Sequence, residues 1–114
     1  MKLGLVFIAL IALILAFCGV GREHITEKNF IGKWKSSRAE TPIYLYENGE
    51  WEIKKADGVI LQYGVWQYKP SKIIWSYKVD GATGHDVNAV LSATSREFQL
   101  RERNGMTTTF KRIE

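Results

Sequence analysis

Cysteine and histidine are scarce in this 114-residue chain, which contains one cysteine and two histidines. A single cysteine cannot form an internal disulfide. The two histidines, His24 and His85, are isolated and lack the clustered spacing of a zinc site. We therefore predict no metal centre and no cofactor.

The chain also lacks a recognisable catalytic motif. His85 and Asp86 are the only adjacent imidazole and carboxylate, and they would make a general base oriented by an acid. The alternative is an exposed loop histidine beside a strand residue, because neighbouring strand residues point to opposite faces. No nucleophilic serine motif or phosphate-binding loop accompanies the pair, so we predict that the protein is not an enzyme.

No dense run of one charge is present, although 16 Lys and Arg against 12 Asp and Glu give a net charge of +4. Acidic and basic residues alternate, for example within residues 50–55 and 101–103. Such interleaving is typical of a solvated strand surface and not of a nucleic-acid footprint. We predict no nucleic-acid partner.

Long apolar runs are absent except at the amino terminus. Lys2 precedes an uninterrupted apolar run over residues 3–17, and charge resumes at Arg22. This layout is typical of a secretory signal peptide, and the run is slightly short for a membrane span. Residues 1–21 are therefore predicted to be a signal peptide or a hydrophobic anchor helix that exports the rest of the chain, which is then held at a membrane of the cell envelope or secreted.

The only cysteine lies at the end of this apolar run. Leu15-Ala16-Phe17-Cys18-Gly19 resembles the lipobox of bacterial lipoproteins, in which Gly, Ala or Ser usually occupies the position of Phe17. The resemblance implies cleavage before Cys18 and lipidation of its thiol. Cleavage elsewhere, for example after Gly21, and retention as an uncleaved anchor stay open.

The strongest structural signal is a pair of hairpins within residues 41–65. Asn48-Gly49 and Asp57-Gly58 are each flanked by alternating apolar and polar residues. Three-residue loops ending in a glycine with positive φ would pair Leu45 with Trp51, Ile43 with Ile53, Ile53 with Leu61, and Trp51 with Tyr63. The predicted inner face is Ile43, Leu45, Trp51, Ile53, Leu61, Tyr63 and Val65. The predicted outer face is Tyr44, Tyr46, Glu50, Glu52, Lys54 and Gln62.

Further strands continue this meander on both sides. Thr26 is predicted to cap a helical turn that ends a linker over residues 22–29, and residues 31–36 form the first strand. A bulge at Gly64 would turn Trp66 and Tyr68 inward, opposite Trp75 and Ile73. Residues 80–85 are predicted to be the loosest loop, followed by a strand over 86–92 with Val87, Ala89 and Leu91 inside. Strands over 97–103 and 106–113 then pair Phe98 with Phe110 and Leu100 with Thr108.

The count is eight short antiparallel strands with no long amphipathic helix. A meander of this size removes its exposed edges most simply by closing into a barrel. The prediction is an all-β domain over residues 30–114, an eight-stranded antiparallel meander that closes into a small barrel.

Four short motifs within the predicted strands resemble small bacterial lipocalin-like domains. They are Gly32-Lys33-Trp34, the aromatic-flanked turn of residues 45–51, Gly64-Val65-Trp66 and the threonine-rich closing strand of residues 108–112. The resemblance implies a lipocalin-like barrel closed at one end. It also implies a structural latch in which Arg112 stacks on Trp34.

The aromatic content leaves two functions open. The first is binding of a small apolar ligand in the barrel mouth, with candidate residues Trp51, Tyr63, Trp66, Trp75 and Tyr77. The second is a filled core with a protein-contact patch at Tyr44 and Tyr46, because tyrosine is favoured at interfaces. An envelope-tethered binding domain of the first kind is the preferred prediction.

Overall fold

A computed structural model describes residues 25–79 and 81–114, so the predictions for residues 1–21, including Cys18, lie outside the described residues. Eight antiparallel strands form a closed barrel in sequence order, with β8 pairing back to β1. This confirms the predicted all-β meander. The strands are β1 (Gly32–Ser36), β2 (Ile43–Leu45), β3 (Glu50–Lys54), β4 (Ile60–Lys69), β5 (Lys72–Val79), β6 (Ala82–Ala93), β7 (Glu97–Arg101) and β8 (Thr107–Arg112). Within these described residues, no helix has the length and apolar character needed to cross a bilayer.

Glycine-ended turns set the local register of three hairpins. Gly49, Gly58 and Gly105 have φ of +90°, +91° and +87°, a region that glycine adopts without steric cost. The amide of each donates to the carbonyl three residues earlier, at 2.9–3.0 Å. The turns confirm four predicted pairs: Leu45 with Trp51, Ile43 with Ile53, Phe98 with Phe110, and Leu100 with Thr108.

The predicted register of the β3–β4 hairpin is wrong beyond its turn. Lys54 pairs with Ile60 as expected, but Ile53 then pairs with Gln62, and Leu61 is the extra residue of a bulge. The bulge therefore lies before Gly64 and not at that glycine. Leu61, Tyr63 and Val65 consequently lie on the outer face, 56%, 61% and 52% exposed, while Gln62 is also exposed but faces the cavity of the barrel.

Gly64 allows β3, β4 and β5 to pair in this register. It lies opposite Trp51, whose indole Nε1 donates to the carbonyl oxygen of Ser76 on β5 at 3.2 Å. A Cβ added at Gly64 would overlap that carbonyl oxygen and lie 2.8 Å from the indole nitrogen. A strand glycine often marks such a close approach, and here it lets the indole cross β4 to reach β5.

The β4–β5 hairpin has the predicted register, in which Trp66 pairs with Trp75 and Tyr68 with Ile73.

The β5–β6 hairpin has longer strands and a shorter connection than predicted. Val79 pairs with Ala82, so the connection is limited to residues 80–81, where a loop over 80–85 was predicted.

The predicted inner face of β6 is also wrong. Asp86 pairs with Trp75 and Asn88 with Ile73, so these polar residues face inward. Val87, Ala89 and Leu91 lie on the exposed side of the strand. The physical reason is that Asn88 accepts a hydrogen bond from Trp75 and donates one to Glu102 inside the barrel. A second register shift lies between Val90 and Ser92.

One end of the barrel is closed by packed aromatic rings. Phe98 contacts Phe30, Trp34 and Phe110 at centroid distances of 4.9, 4.6 and 4.5 Å. Phe30 ends a 3-10 turn (Glu27–Phe30) that Thr26 caps, as predicted, and its carbonyl accepts from Trp34 Nε1 at 2.9 Å. The described chain therefore begins at the closed end.

The opposite end is open. In an up-and-down barrel, alternate connections lie at alternate ends. The β2–β3, β4–β5 and β6–β7 turns share the closed end with the 3-10 turn. The β1–β2, β3–β4, β5–β6 and β7–β8 connections surround the open end.

Candidate ligand-binding cup

A cavity of about 420 Å³ lies at the open end, and we call it the cup. Its wall combines apolar and polar side chains from seven strands and two loops. The lining residues used below are Trp51, Trp75, Tyr77, Asp86, Asn88 and Glu102. Ile43, Ile53 and Phe110 complete the apolar wall, and Arg38, Gln62 and Thr108 add polar groups.

Two tryptophans form a right-angled corner of the cup. The rings of Trp51 and Trp75 are 6.0 Å apart between centroids, with an angle of 88° between their planes. Each indole N–H is already bonded, Trp51 to the Ser76 carbonyl at 3.2 Å and Trp75 to Asn88 Oδ1 at 2.7 Å. Both rings are thereby fixed in orientation.

Tyr77 adds a third aromatic wall beside this corner. It pairs with Gly84 of β6, and a Cβ at that glycine would lie 2.8 Å or less from two atoms of the tyrosine ring. The ring therefore lies flat over the backbone of Gly84. A larger residue at position 84 would push the ring into the cup.

A buried polar network holds the Trp75 side of the cup. Asn88 Nδ2 donates to Glu102 Oε2 at 3.1 Å, and Thr108 Oγ1 donates to Glu102 Oε1 at 2.8 Å. Arg38 Nη1 forms an ion pair with the same oxygen at 3.2 Å. Buried polar groups need such partners, and here the network ends on the indole of Trp75.

Asp86 is the second carboxylate of the cup, and it is less firmly held. Its Oδ1 accepts from the amide of Val87 at 3.0 Å and from Arg103 Nη2 at 3.3 Å. His85 points the other way, with Nδ1 3.0 Å from Ser76 Oγ on the exposed face. The structure therefore does not bring His85 and Asp86 together.

The five predicted ligand-binding residues have different positions. Trp51, Trp75 and Tyr77 line the cup. Trp66 is buried in the core and does not line the cup, and its Nε1 donates to the Tyr46 carbonyl at 3.1 Å. Tyr63 lies on the outer face, contrary to its predicted inward position, because the bulge at Leu61 reverses its direction.

Sequence reasoning missed the polar half of the cup. Asp86, Asn88 and Glu102 come from β6 and the β7–β8 connection, and only the closed barrel brings them together. The available signal was Asn88, an uncharged polar residue between Val87 and Ala89, which both lie on the other face of the strand.

Comparison of the chain with known proteins gives no match. No family model, curated protein or solved structure is similar to it. The cup must therefore be interpreted from its own residues.

The predicted latch residues lie in contact at the closed end, away from the cup. The Arg112 Cζ is 4.2 Å from the ring centroid of Trp34, within the range of a cation–π contact. Its Nε donates to the Ser95 carbonyl at 2.6 Å and its Nη1 to the Ile31 carbonyl at 2.9 Å. The side chain crosses Gly32, where a Cβ would overlap the guanidinium.

The predicted protein-contact residues lie on the outer face, where they are half-buried. Tyr44 and Tyr46 stack at 6.2 Å with an angle of 15°. Lys33 Nζ and Lys54 Nζ lie 5.2 and 4.6 Å from the Tyr44 centroid. Charged side chains therefore cover much of the tyrosine surface that was predicted to contact a protein.

Tyr46 is expected to ionise at a higher pH than a free tyrosine. Its hydroxyl donates to Glu52 Oε1 at 2.6 Å, and this bond, followed by burial, raises its pKa from 10 to about 12. A raised folded-state pKa means that the stabilisation is present below pH 10 and is lost as the pH rises through 12. Ultraviolet titration should show a tyrosine that ionises near pH 12, and Glu52→Gln should lower its pKa. An ultraviolet titration that Glu52→Gln leaves unchanged would contradict this contact.

Proposed function

We propose that this chain is a non-enzymatic, exported, lipocalin-like domain that binds a small molecule in the cup. The observation that carries the proposal is the fixed corner of Trp51 and Trp75, beside Tyr77, in a cavity of about 420 Å³. Ligand sites are typically aromatic-lined cavities of roughly 300–1,000 Å³ with a few placed polar groups. Asn88 and Glu102 supply such groups here.

The closed eight-stranded antiparallel barrel is consistent with a lipocalin-like fold, and this supports the family resemblance of the four sequence motifs. A barrel of eight strands is just wide enough to hold side chains or one small ligand. Both uses occur along this barrel: aromatic rings fill the closed end, and the open end is hollow.

We further propose that residues 1–21 export the chain and tether it to a membrane, through lipidation of Cys18 or as an anchor. The described chain starts at the closed end, next to the 3-10 turn. A tether there would leave the cup at the far end of the barrel. The ligand would then be taken from the aqueous compartment.

A matched pair of tyrosine variants tests the binding proposal. Ligands that quench or shift tryptophan fluorescence would be titrated into the purified chain, using an apolar dye, a fatty acid and benzyltrimethylammonium. Tyr77→Ala removes an aromatic wall and should weaken binding by about tenfold or more. Tyr63→Ala removes the same side chain from the outer face and should leave the Kd unchanged.

Two outcomes would contradict the proposal. One is a flat fluorescence response to the whole panel. The other is equal loss of affinity in Tyr77→Ala and Tyr63→Ala, since Tyr63 does not line the cup. The Tyr63→Ala variant also controls for nonspecific adhesion of the dye to exposed apolar surface.

Protein binding is a second candidate function, favoured by the outer face of β4. Leu61, Tyr63 and Val65 form an exposed apolar stripe, and Val87 of β6 is also exposed on the outside. Contiguous exposed apolar residues mark contact sites in many soluble proteins. A partner that binds here would lose affinity in Tyr63→Ala and not in Tyr77→Ala, the reverse of the pattern expected for the cup.

A further inference from the structure

We propose that the ligand of the cup is a cation, a substituted ammonium group carrying a small apolar body. This inference rests on the proposed function of the cup and specifies its ligand class. Three features of the lining carry it: the available surface of the aromatic rings, the sign of the lining charges, and the weak pairing of Asp86.

The aromatic walls offer the ring of Tyr77 and the small exposed parts of Trp51 and Trp75, which are 4% and 8% exposed, and no free hydrogen-bond donor from the indoles. The N–H groups of Trp51 and Trp75 are bonded to Ser76 and Asn88. An anionic ligand would therefore find no indole donor. A cation is attracted by the ring itself, and groups of aromatic rings are the usual recognition site for quaternary ammonium ligands.

The charged residues of the lining also favour a positively charged ligand. In the described part of the chain they are two carboxylates, Asp86 and Glu102, and one guanidinium, Arg38. Arg38 is paired with Glu102, so its charge is already balanced. The other lining carboxylate, Asp86, is paired with Arg103, which does not line the cup. When that pair opens, the carboxylate disfavours a fatty-acid head group and favours an ammonium.

The existing partner of Asp86 is easily displaced. Arg103 reaches it at 3.3 Å with a side chain that is 81% exposed, and such exposed ion pairs contribute little to stability. The hydrogen bonds that the described residues give this carboxylate both fall on Oδ1. The Oδ2 atom therefore remains available to a ligand that replaces Arg103.

The charge requirement can be tested with three compounds that share a benzyl group, of which the cation and the neutral compound also have the same shape. The purified full-length chain would be titrated with benzyltrimethylammonium, its neutral carbon analogue neopentylbenzene, and the anion 3-phenylpropionate. We expect the cation to bind at least about tenfold more tightly than the neutral analogue, in line with a desolvated cation–π contact. The anion should bind more weakly than both.

The outcomes separate this inference from the proposed function. Saturable binding of neopentylbenzene with a Kd equal to or below that of the cation overturns the charge requirement and leaves a neutral binding cup. Tightest binding of 3-phenylpropionate does the same. Absence of saturable binding by all three compounds overturns the charge inference, and a flat response to the dye and the fatty acid as well overturns the proposed function.

Substitutions at Asp86 and Arg103 test the assigned residue. Asp86→Asn should lower the affinity for the cation by about tenfold and abolish the salt dependence of its binding. The affinity for neopentylbenzene should stay unchanged. Arg103→Ala should raise the affinity for the cation, because it removes the side chain that competes for Asp86. The matched control is Asp57→Asn, whose carboxylate pairs with Lys55 at 4.0 Å outside the cup. Equal weakening of cation and neutral analogue in Asp86→Asn would assign Asp86 a structural role and overturn the inference.

Discussion

Replacing Leu45 with alanine is expected to lower the free energy of unfolding by about 2–5 kcal/mol. The Leu45 side chain is 1% exposed and belongs to the core that fills the barrel. Truncation would leave a cavity in the space between Leu45 and its neighbours. Urea denaturation monitored by circular dichroism measures the loss.

Leu61→Ala is the matched control, because the same atoms are removed from a residue on the outer face. Its expected effect is within about 0.5 kcal/mol. The comparison reports directly on the bulge in β4. Equal losses in the two variants would mean that Leu61 faces inward and that no bulge reverses the phase of β4 at this residue.

Gly64→Ala is expected to destabilise the protein by about 2–3 kcal/mol, as overpacking does in a filled core. Alanine in a strand is otherwise favoured over glycine by about 0.5–1 kcal/mol, so the sign of the effect is informative. The new methyl group would overlap the Ser76 carbonyl and displace the Trp51 indole. The variant should therefore also bind cup ligands less tightly.

Gly84→Ala provides the comparison for this prediction. There the added Cβ meets the ring of Tyr77, a side chain that can rotate away, whereas at Gly64 the obstacle is backbone. We expect a smaller loss of stability at Gly84, measured by the same urea denaturation. A Gly64→Ala variant as stable as the wild type would contradict the close approach of Trp51 to β4.

Much of the fold could be predicted because the local turns determine most of the pairing. Gly49 and Gly105 define hairpins whose partners lie close together in the sequence, and both registers were predicted correctly. Glycine with positive φ and a three-residue loop specify the pairing without any tertiary information. The closed barrel then follows from the number of strands and the absence of covering helices among the described residues.

The two errors of phase share one assumption, which fails for a different reason in each strand. Periodicity assumes that the apolar side of a strand faces inward. In β4, the bulge at Leu61 reverses the side chains that follow it. In β6, Val87 and Ala89 precede the register shift after Val90, and the assumption fails there because the polar Asn88 faces inward and bonds to Trp75.

Of the residues that line the cup, the aromatic ones could be predicted from the sequence, whereas Asp86 and Asn88 could not. Trp51, Trp75 and Tyr77 follow from the inner-face pattern and the turn at residues 70–71. Asp86 does not, because it lies where the open cup contacts water and can accept a charged side chain. Asn88 does not, because it is buried and its inward position depends on its hydrogen bonds to Trp75 and Glu102. The bond from Trp75 to Asn88 joins residues on neighbouring strands after the barrel has formed.

Nuclear magnetic resonance of the four tryptophan indole N–H groups tests the cup most directly. The chain has four tryptophans, and each indole gives one resolved ¹H–¹⁵N signal that single Trp→Phe variants assign. On titration with benzyltrimethylammonium, the signals of Trp51 and Trp75 should shift, while those of Trp34 and Trp66, buried outside the cup lining, should stay in place. Four unmoved signals at saturating concentration, or shifts confined to Trp34 and Trp66, would contradict a ligand site in the cup.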